Sequence, residues 1–145
     1  MFLGQYEHTI DEKGRMIIPA RYRDLLQDGA FITLGFDHNL MVLTAAAFDK
    51  VRDRVSAMSL TDPIARDLRR KMFSKADRVE IDRAGRVLIS QFLREEASLQ
   101  GAAVVVGAGD YFEIWAPEYW DKKDEDLNGS DANDQRYATF DLSLR

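Results

Sequence analysis

A segment near the N-terminus recurs 71 residues further along the chain. Thr9–Pro19 has the sequence TIDEKGRMIIP and Glu80–Ser90 has the sequence EIDRAGRVLIS, so both copies contain an Asp-x-x-Gly-Arg motif. The short motifs that follow each copy occur in the same order, with one residue inserted. Internal similarity of this kind is the signature of a chain built from repeated structural units. We therefore interpret the sequence as a tandem duplication.

Each copy of the motif is predicted to form a strand, a tight turn and a second strand. Gly14 and Gly85 supply the positive φ that such a reversal requires. The second strand is apolar at consecutive positions, Met16–Ile18 in one copy and Val87–Ile89 in the other, which predicts burial on both faces. A short helix and two further β-rich runs follow. The predicted unit is therefore β-β-α-β-β.

A unit of about 45 residues is too small to be stable alone without a disulfide or a metal. The chain of 145 residues has 0 Cys, so no disulfide can staple either unit. We expect the two units to bury their apolar faces against each other as a pseudo-dimer. The predicted organisation is a first unit at 1–47, a helical connector at 48–76, a second unit at 77–120 and an acidic C-terminal tail at 121–145.

Three further helices are expected in the chain, two between the units and one after the second unit. Two amphipathic helices are predicted over 45–58 and 63–75, and a shorter one begins at Pro117. The segment 124–135 is acidic, polar and poor in large apolar residues, which predicts a loop or a disordered segment.

The formal net charge of −5 argues at first against a nucleic-acid partner, because affinity for DNA depends mostly on phosphate neutralisation. The charge is unevenly distributed, however. Residues 117–145 hold 4 basic and 8 acidic side chains, whereas residues 64–94 hold nine basic and four acidic ones. The basic stretch Arg66–Arg78 is either a solvated helix face or part of a surface directed at a polyanion.

The paired motifs resemble the SpoVT–AbrB class of swapped-hairpin DNA-binding domains. The tandem arrangement, with the opening MFLGQYEHTIDEKGRMIIPARYR and the link RRKMFSKADRVEIDRAGRVLIS, resembles the MraZ family of bacterial regulators, which is associated with the division and cell-wall gene cluster. The resemblance covers residues 1 to about 120. It implies a mainly β, α+β fold: a tandem-duplicated swapped-hairpin β-barrel with a pseudo-twofold axis and two connecting helices.

The resemblance also implies a function. Members of this family are expected to bind tandem short promoter repeats in double-stranded DNA, as ring-shaped homo-oligomers, and to repress their own operon. The family's functional arginine corresponds to Arg15 and Arg86, and its lysine in the same turn corresponds to Lys13. The second copy lacks the lysine but has Arg83 one position earlier. We therefore expect the first turn to contribute more to DNA binding.

Physical chemistry favours the same assignment. An arginine held at a rigid turn can donate two hydrogen bonds to guanine O6 and N7, worth roughly 1–3 kcal/mol of discrimination. Lys13 and Arg83 are expected to contact phosphates. Asp11 and Asp82 are expected to cap the turns or to pair with the arginines. The alternative is that Arg15 and its counterpart only close a salt bridge within their own turns.

Three other classes of function are alternatives to DNA binding: an enzyme, a protein-binding module and a structural ring. An enzyme is disfavoured because the chain has only 2 His, no metal-ligand spacing and no serine with a nearby base, so no catalytic residue, metal or cofactor is predicted. An antitoxin-like module with an acidic tail that binds a protein, and a structural ring whose turns are oligomer contacts, remain alternatives. No signal peptide or membrane-spanning segment is visible, which predicts a cytoplasmic protein without membrane contact. The resemblance to a DNA-binding family implies that the protein is associated with the nucleoid.

Overall fold

The computed structural model describes residues 1–129 and 136–144. Its elements follow the predicted β-β-α-β-β order twice, with two helices between the units and one after them. They are β1 Gln5–Thr9, β2 Arg15–Ile17, α1 Ala20–Arg23, a 3-10 helix Asp24–Leu26, β3 Ala30–Leu34, β4 Leu40–Thr44, α2 Ala45–Ser56, α3 Pro63–Phe73, β5 Asp77–Val79, β6 Arg86–Leu88, α4 Gln91–Glu96, β7 Ala102–Gly107, β8 Tyr111–Trp115 and α5 Pro117–Leu127.

Six strands form an antiparallel sheet in the order β1-β7-β8-β4-β3-β5. The order is the same when the two units are interchanged, so the chain has a pseudo-twofold axis. The first strand of each unit lies in the other unit's half of the sheet: Gln5 of β1 faces Val106 of β7, and Asp77 of β5 faces Ile32 of β3. The two units therefore exchange strands within one chain, which confirms the swapped arrangement.

The remaining two strands, β2 and β6, pair with each other along their length and form a short ribbon. The two strands of each motif do not form a regular hairpin, since a single bridge from Ile10 to Met16 links β1 and β2 of the first copy. The six-stranded sheet ends at β1 and β5, and no closed barrel is found within the described residues. The mixed class with a mainly antiparallel sheet is confirmed. In the described residues the strands form an open sheet and a ribbon where a β-barrel was expected.

Helix starts follow from capping side chains. The hydroxyl of Thr44 accepts a hydrogen bond from the amide of Ala47 at 3.0 Å at the start of α2. The carboxylate of Asp62 accepts from the amide of Ile64 at 2.9 Å, and Pro63 occupies the first turn of α3. These side chains satisfy amides that have no partner within the helix.

An aromatic cluster at the centre of the core joins both units to the N-terminus. Phe112 of β8 is fully buried, and its ring centroid lies 5.2 Å from that of Phe2 and 5.0 Å from that of Tyr22. The hydroxyl of Tyr22 donates to the carbonyl of Leu3 at 2.7 Å. The first residues of the chain are therefore part of the core.

Helices α2 and α5 follow equivalent strands and cover equivalent parts of the sheet. Phe48 of α2 stacks on Phe31 with centroids 4.1 Å apart, and Trp120 of α5 lies edge-on to Trp115 at 5.4 Å. None of the helices in the described ranges is long and apolar enough to cross a bilayer.

The prediction of a loop or disordered segment from residue 124 is wrong for Asp124–Leu127, which belongs to α5. Trp120 anchors this helix to the sheet, Leu127 packs against the same apolar cluster, and Arg136 forms two hydrogen bonds to Asp126 at 3.0 and 3.2 Å. Tertiary contacts therefore stabilise a helix in a segment whose acidic, polar composition by itself favours disorder. The rest of that prediction, at 130–135, lies outside the described residues.

Candidate nucleic-acid interface

The β2–β6 ribbon presents one face to the core and one face outward. Met16 and Val87 lie opposite each other and are buried. Because side chains alternate along a strand, the flanking positions point away from the core. These outward positions hold two arginines and two aliphatic residues: Arg15, Ile17, Arg86 and Leu88. We call this surface, together with the two Asp-x-x-Gly-Arg turns, the ribbon face.

The prediction that the second strand of each copy is buried on both faces is wrong. Ile17 is 47% exposed and Leu88 is 56% exposed, whereas Ile18 and Ile89 are fully buried. A run of apolar residues does not reveal whether one or both faces of a strand are covered. No element of the described residues covers the outer face of this ribbon, so the last residue of each strand, Ile17 and Leu88, remains accessible.

The turn that precedes β2 is organised by one carboxylate. One oxygen of Asp11 accepts hydrogen bonds from the amides of Lys13 and Arg15, both at 2.9 Å. Gly14 has φ of +89°, a conformation that side-chain-bearing residues rarely adopt. The second turn repeats this arrangement: Asp82 accepts from the amides of Ala84 and Arg86 at 2.9 Å, and Gly85 has φ of +80°.

The same aspartates hold the arginine side chains. Nε of Arg15 donates to the second carboxylate oxygen of Asp11 at 2.8 Å, and Nε of Arg86 donates to Asp82 at 2.9 Å. These are the salt bridges expected if the arginines have only a structural role. They occupy only Nε, however, and within the described part of the chain the terminal Nη groups of both arginines have no hydrogen-bond partner. Each arginine side chain is 32% exposed. The pairing orients each guanidinium group and leaves its two terminal Nη groups accessible.

These contacts keep both carboxylates charged. The pKa of Asp11 lies below its ordinary value, first because the amide of Arg15 donates to it and then because the Arg15 guanidinium does. The pKa of Asp82 is lowered in the same way by Arg86. Each turn is therefore a charged, hydrogen-bonded unit at neutral pH.

The two turns are also tied to each other across the pseudo-twofold axis. The carbonyl of Gly14 accepts from the amide of Ile89 at 2.9 Å, and the carbonyl of Gly85 accepts from the amide of Ile18 at 2.8 Å. Arg15 and Arg86 are diagonal neighbours on the ribbon, a relation that places Cα atoms about 7–8 Å apart. Their relative position is thus set by main-chain hydrogen bonds.

Two further arginines, Arg23 and Arg94, support these turns, and neither was assigned this role from the sequence. Nε of Arg94 donates to the carbonyl of Ile89 at 2.9 Å, and its guanidinium lies so close to Gly14 that a Cβ there would be 2.8 Å from Nε. Arg23 makes the equivalent contacts with Ile18 and Gly85. Each turn is therefore packed against an arginine from the other unit. The signal that could have found them was the repeat itself, because Arg23 and Arg94 are also 71 positions apart.

The ribbon face and its supporting arginines carry a positive charge. Six basic side chains, Lys13, Arg15, Arg23, Arg83, Arg86 and Arg94, are accompanied by three acidic ones, Asp11, Glu12 and Asp82. Lys13 and Arg83 are exposed at the tips of the turns. The acidic average of the whole chain therefore conceals a local surface suited to a polyanion.

The basic side chains of α3 are used differently. They contact the chain itself: Arg66 donates to the carbonyl of Leu60, Arg69 to that of Ser56, Arg70 to the carboxylate of Asp67 and Lys71 to the carbonyl of Gly35. These contacts favour the interpretation of this stretch as a solvated helix face. In residues 1–129 and 136–144, no three His, Cys, Asp or Glu side chains are grouped so that they could hold a metal ion.

Comparison with known proteins tests the resemblance to the MraZ family. The family model described as "MraZ protein, putative antitoxin-like" matches the chain twice, at residues 1–71 and 72–141. The chain belongs to the MraZ family. The double match agrees with the tandem duplication seen in the sequence and with the pseudo-twofold axis of the fold.

Full-length relatives carry the same family name. The protein named "Transcriptional regulator MraZ" of Roseiflexus sp. (strain RS-1) is 45% identical over 145 residues, which is 100% of this chain and 99% of the relative. That of Roseiflexus castenholzii is also 45% identical over the same lengths. That of Herpetosiphon aurantiacus is 43% identical over 120 residues, 83% of this chain and 84% of the relative. The family inferred from the paired motifs is confirmed.

Proposed function

We propose that this chain is a sequence-specific DNA-binding transcriptional regulator that uses the ribbon face to bind DNA. The observation that carries the proposal is the fixed diagonal placement of Arg15 and Arg86 on one exposed face of a two-stranded ribbon. The major groove of B-DNA admits such a ribbon, and arginine forks donate to guanine O6 and N7. Lys13 and Arg83, at the tips of the turns, would contact phosphates and set the register.

The proposed regulator represses its own division and cell-wall gene cluster by binding tandem short repeats in the promoter as a ring-shaped homo-oligomer, in the cytoplasm and at the nucleoid. The naming of the relatives as transcriptional regulators supports the regulatory part. One ribbon face with two specific arginines binds weakly. Several faces that contact repeats spaced near one helical turn provide avidity, which reconciles strong binding with the net charge of −5.

The acidic tail and the description of the matching family model favour an antitoxin-like, protein-binding module as a second candidate. The structure supports it less, because residues 121–127 belong to α5 and Trp120 of that helix is buried against the sheet. A structural ring in which the turns only join copies of the chain is a third candidate. It leaves the accessible guanidinium forks of Arg15 and Arg86 without a ligand.

The proposed function is tested by titrating the chain into a labelled duplex from the upstream region of its own operon at two salt concentrations. A scrambled duplex of the same composition is the control. We expect preferential binding to the natural duplex that weakens steeply with salt, because each phosphate contact releases counterions. Equal binding to both duplexes would contradict sequence specificity. Co-purification of a small basic protein without DNA binding would favour the antitoxin candidate, and assembly without DNA binding would favour the structural ring.

Two substitutions of Asp11 separate its two roles. Asp11→Asn keeps an oxygen that accepts from the amides of Lys13 and Arg15 but removes the acceptor for the Arg15 guanidinium. We expect it to fold normally and to bind DNA more weakly, since the arginine is no longer oriented. Asp11→Ala also removes the acceptor for the amides, so we expect weaker binding still and a lower melting temperature. Thermal melting and DNA titration measure the two effects; identical affinities for wild type and both variants would show that the carboxylate does not support binding.

A further inference from the structure

Two exposed aliphatic side chains alternate with the arginines of the ribbon face. Ile17 lies opposite Arg86 and Leu88 lies opposite Arg15, so each pair holds one cation and one aliphatic group. Strands of antiparallel sheets with one solvated face usually place polar residues on that face. Here both repeats place a branched aliphatic residue at the same position, and nothing in the described residues covers either one. The ribbon face therefore offers two kinds of contact side by side.

We propose that Ile17 and Leu88 contact the C5-methyl groups of thymines in the major groove and are specificity-determining residues of this regulator. The inference rests on the proposed function, since it assigns a second kind of base contact to the same face. The only apolar group at the base edges of the major groove is the thymine methyl, while guanine presents two acceptors there. Arginine and aliphatic side chains that alternate on one face therefore match guanine acceptors and thymine methyl groups that lie side by side in the groove.

The register of the ribbon makes simultaneous contact feasible. Directly opposite residues of an antiparallel pair have Cβ atoms about 4.5–5.5 Å apart. Neighbouring bases along a DNA strand are separated by about 3.4 Å. The aliphatic residue and the arginine of one cross-strand pair, such as Ile17 and Arg86, can therefore reach adjacent base pairs. The pseudo-twofold axis supplies the second pair, Leu88 and Arg15, in the opposite orientation.

DNA fits this face better than a protein surface does. Burying Ile17 and Leu88 in an apolar protein interface would also desolvate the two adjacent guanidinium groups, which is costly because their Nη groups would have no hydrogen-bond acceptors there. A second copy docked with the same face would bring four arginines together. The ribbon face and its supporting arginines, with six basic side chains against three acidic ones, are instead complementary to a polyanion. DNA offers hydrogen-bond acceptors to the guanidinium groups and thymine methyl groups to the aliphatic side chains at the same time.

The two aliphatic residues differ in their surroundings. Leu88 lines a shallow cavity of about 330 Å³ together with Asp77, Arg78 and Glu80, which carry one positive and two negative charges. The equivalent residues of the first repeat, Tyr6, Glu7 and Thr9, have the same net charge, but the turn before Ile17 has Lys13 where the turn before Leu88 has Ala84. We therefore expect Ile17 to contribute more than Leu88.

Replacement of thymine by uracil tests the inference, because uracil lacks only the methyl group. The upstream fragment is amplified once with dTTP and once with dUTP, and the chain is titrated into both. We expect wild type to prefer the thymine fragment about fourfold for each contacted methyl, since a buried methyl is worth about 0.8 kcal/mol and 1.4 kcal/mol is a factor of ten. Ile17→Ala is expected to reduce this preference most, Leu88→Ala to reduce it less, and the double variant to abolish it.

Matched variants separate this contact from other effects. Ile64→Ala removes an isoleucine that is also exposed but lies on α3, and we expect the full preference to remain. Arg15→Ala should weaken binding to both fragments and keep the preference. Light scattering reports the oligomeric state of each variant.

The outcomes distinguish the inference from the function on which it rests. Equal binding of wild type to the two fragments would overturn the inference and leave the proposed function intact. A preference that persists in the double variant would also overturn it, because the methyl groups would then act through DNA shape. A change in oligomeric state of the aliphatic variants with an unchanged preference would assign the residues to a protein interface instead. No binding to either fragment would overturn both the inference and the proposed function.

Discussion

Replacing Arg15 by alanine is expected to weaken binding to the upstream region of the chain's own operon by about 5- to 150-fold per ribbon face, the equivalent of losing one bidentate guanine contact. Arg86→Ala is expected to have a smaller effect. The two turns have the same geometry, but the first also has Lys13, where the second has Ala84. The measurement is a titration of each variant into the labelled duplex, with light scattering to show that the oligomeric state is unchanged.

Two control variants define what the arginine does. Arg70→Ala removes another exposed arginine that pairs with an aspartate, Asp67, and is expected to leave DNA affinity nearly unchanged. Arg15→Lys keeps the charge but not the planar fork, so its affinity should lie between those of wild type and Arg15→Ala. Wild-type affinity in both Arg15→Ala and Arg86→Ala would show that these arginines only form structural salt bridges. The basic stretch Arg66–Arg78 would then be the next candidate for the DNA-binding surface.

Replacing Phe112 by alanine is expected to lower the free energy of unfolding by about 3–5 kcal/mol, as is typical of a large aromatic removed from a packed core. Phe112 is fully buried, and its ring contacts Phe2 and Tyr22, which belong to the other unit. A loss of this size is a large fraction of the stability of an ordinary domain. Urea denaturation followed by circular dichroism measures it.

A phenylalanine outside the core provides the comparison. Phe140 is 67% exposed, and Phe140→Ala is expected to change the free energy of unfolding by less than about 0.5 kcal/mol. Because β1 and β5 lie in the other unit's half of the sheet, we also expect a single cooperative transition. Two separate transitions, or equal costs for the two variants, would contradict the assignment of Phe112 to a core shared by both units.

Much of the fold and part of the candidate site were predictable from the repeat. Asp11, Gly14 and Arg15 form a turn through contacts that span only five residues, and the second copy repeats them. The helices at Ala45 and Pro63 were predicted within two residues at each end, because the periodic apolar face of a helix is a local signal. The supporting role of Arg23 and Arg94 was missed because the turns they pack against, at Gly85 and Gly14, belong to the other unit.

The sequence by itself determined the features that depend on near neighbours: the two turns with their positive-φ glycines, the order of strands and helices, and the duplication. Only the tertiary structure decided that β1 joins β7 and β5 joins β3, that Ile17 and Leu88 face outward, and that α5 continues through an acidic segment to Leu127. The physical reason is that a strand of three to five residues has no local preference for a partner. Its pairing, and which of its faces is buried, follow from apolar surface brought together across the whole chain.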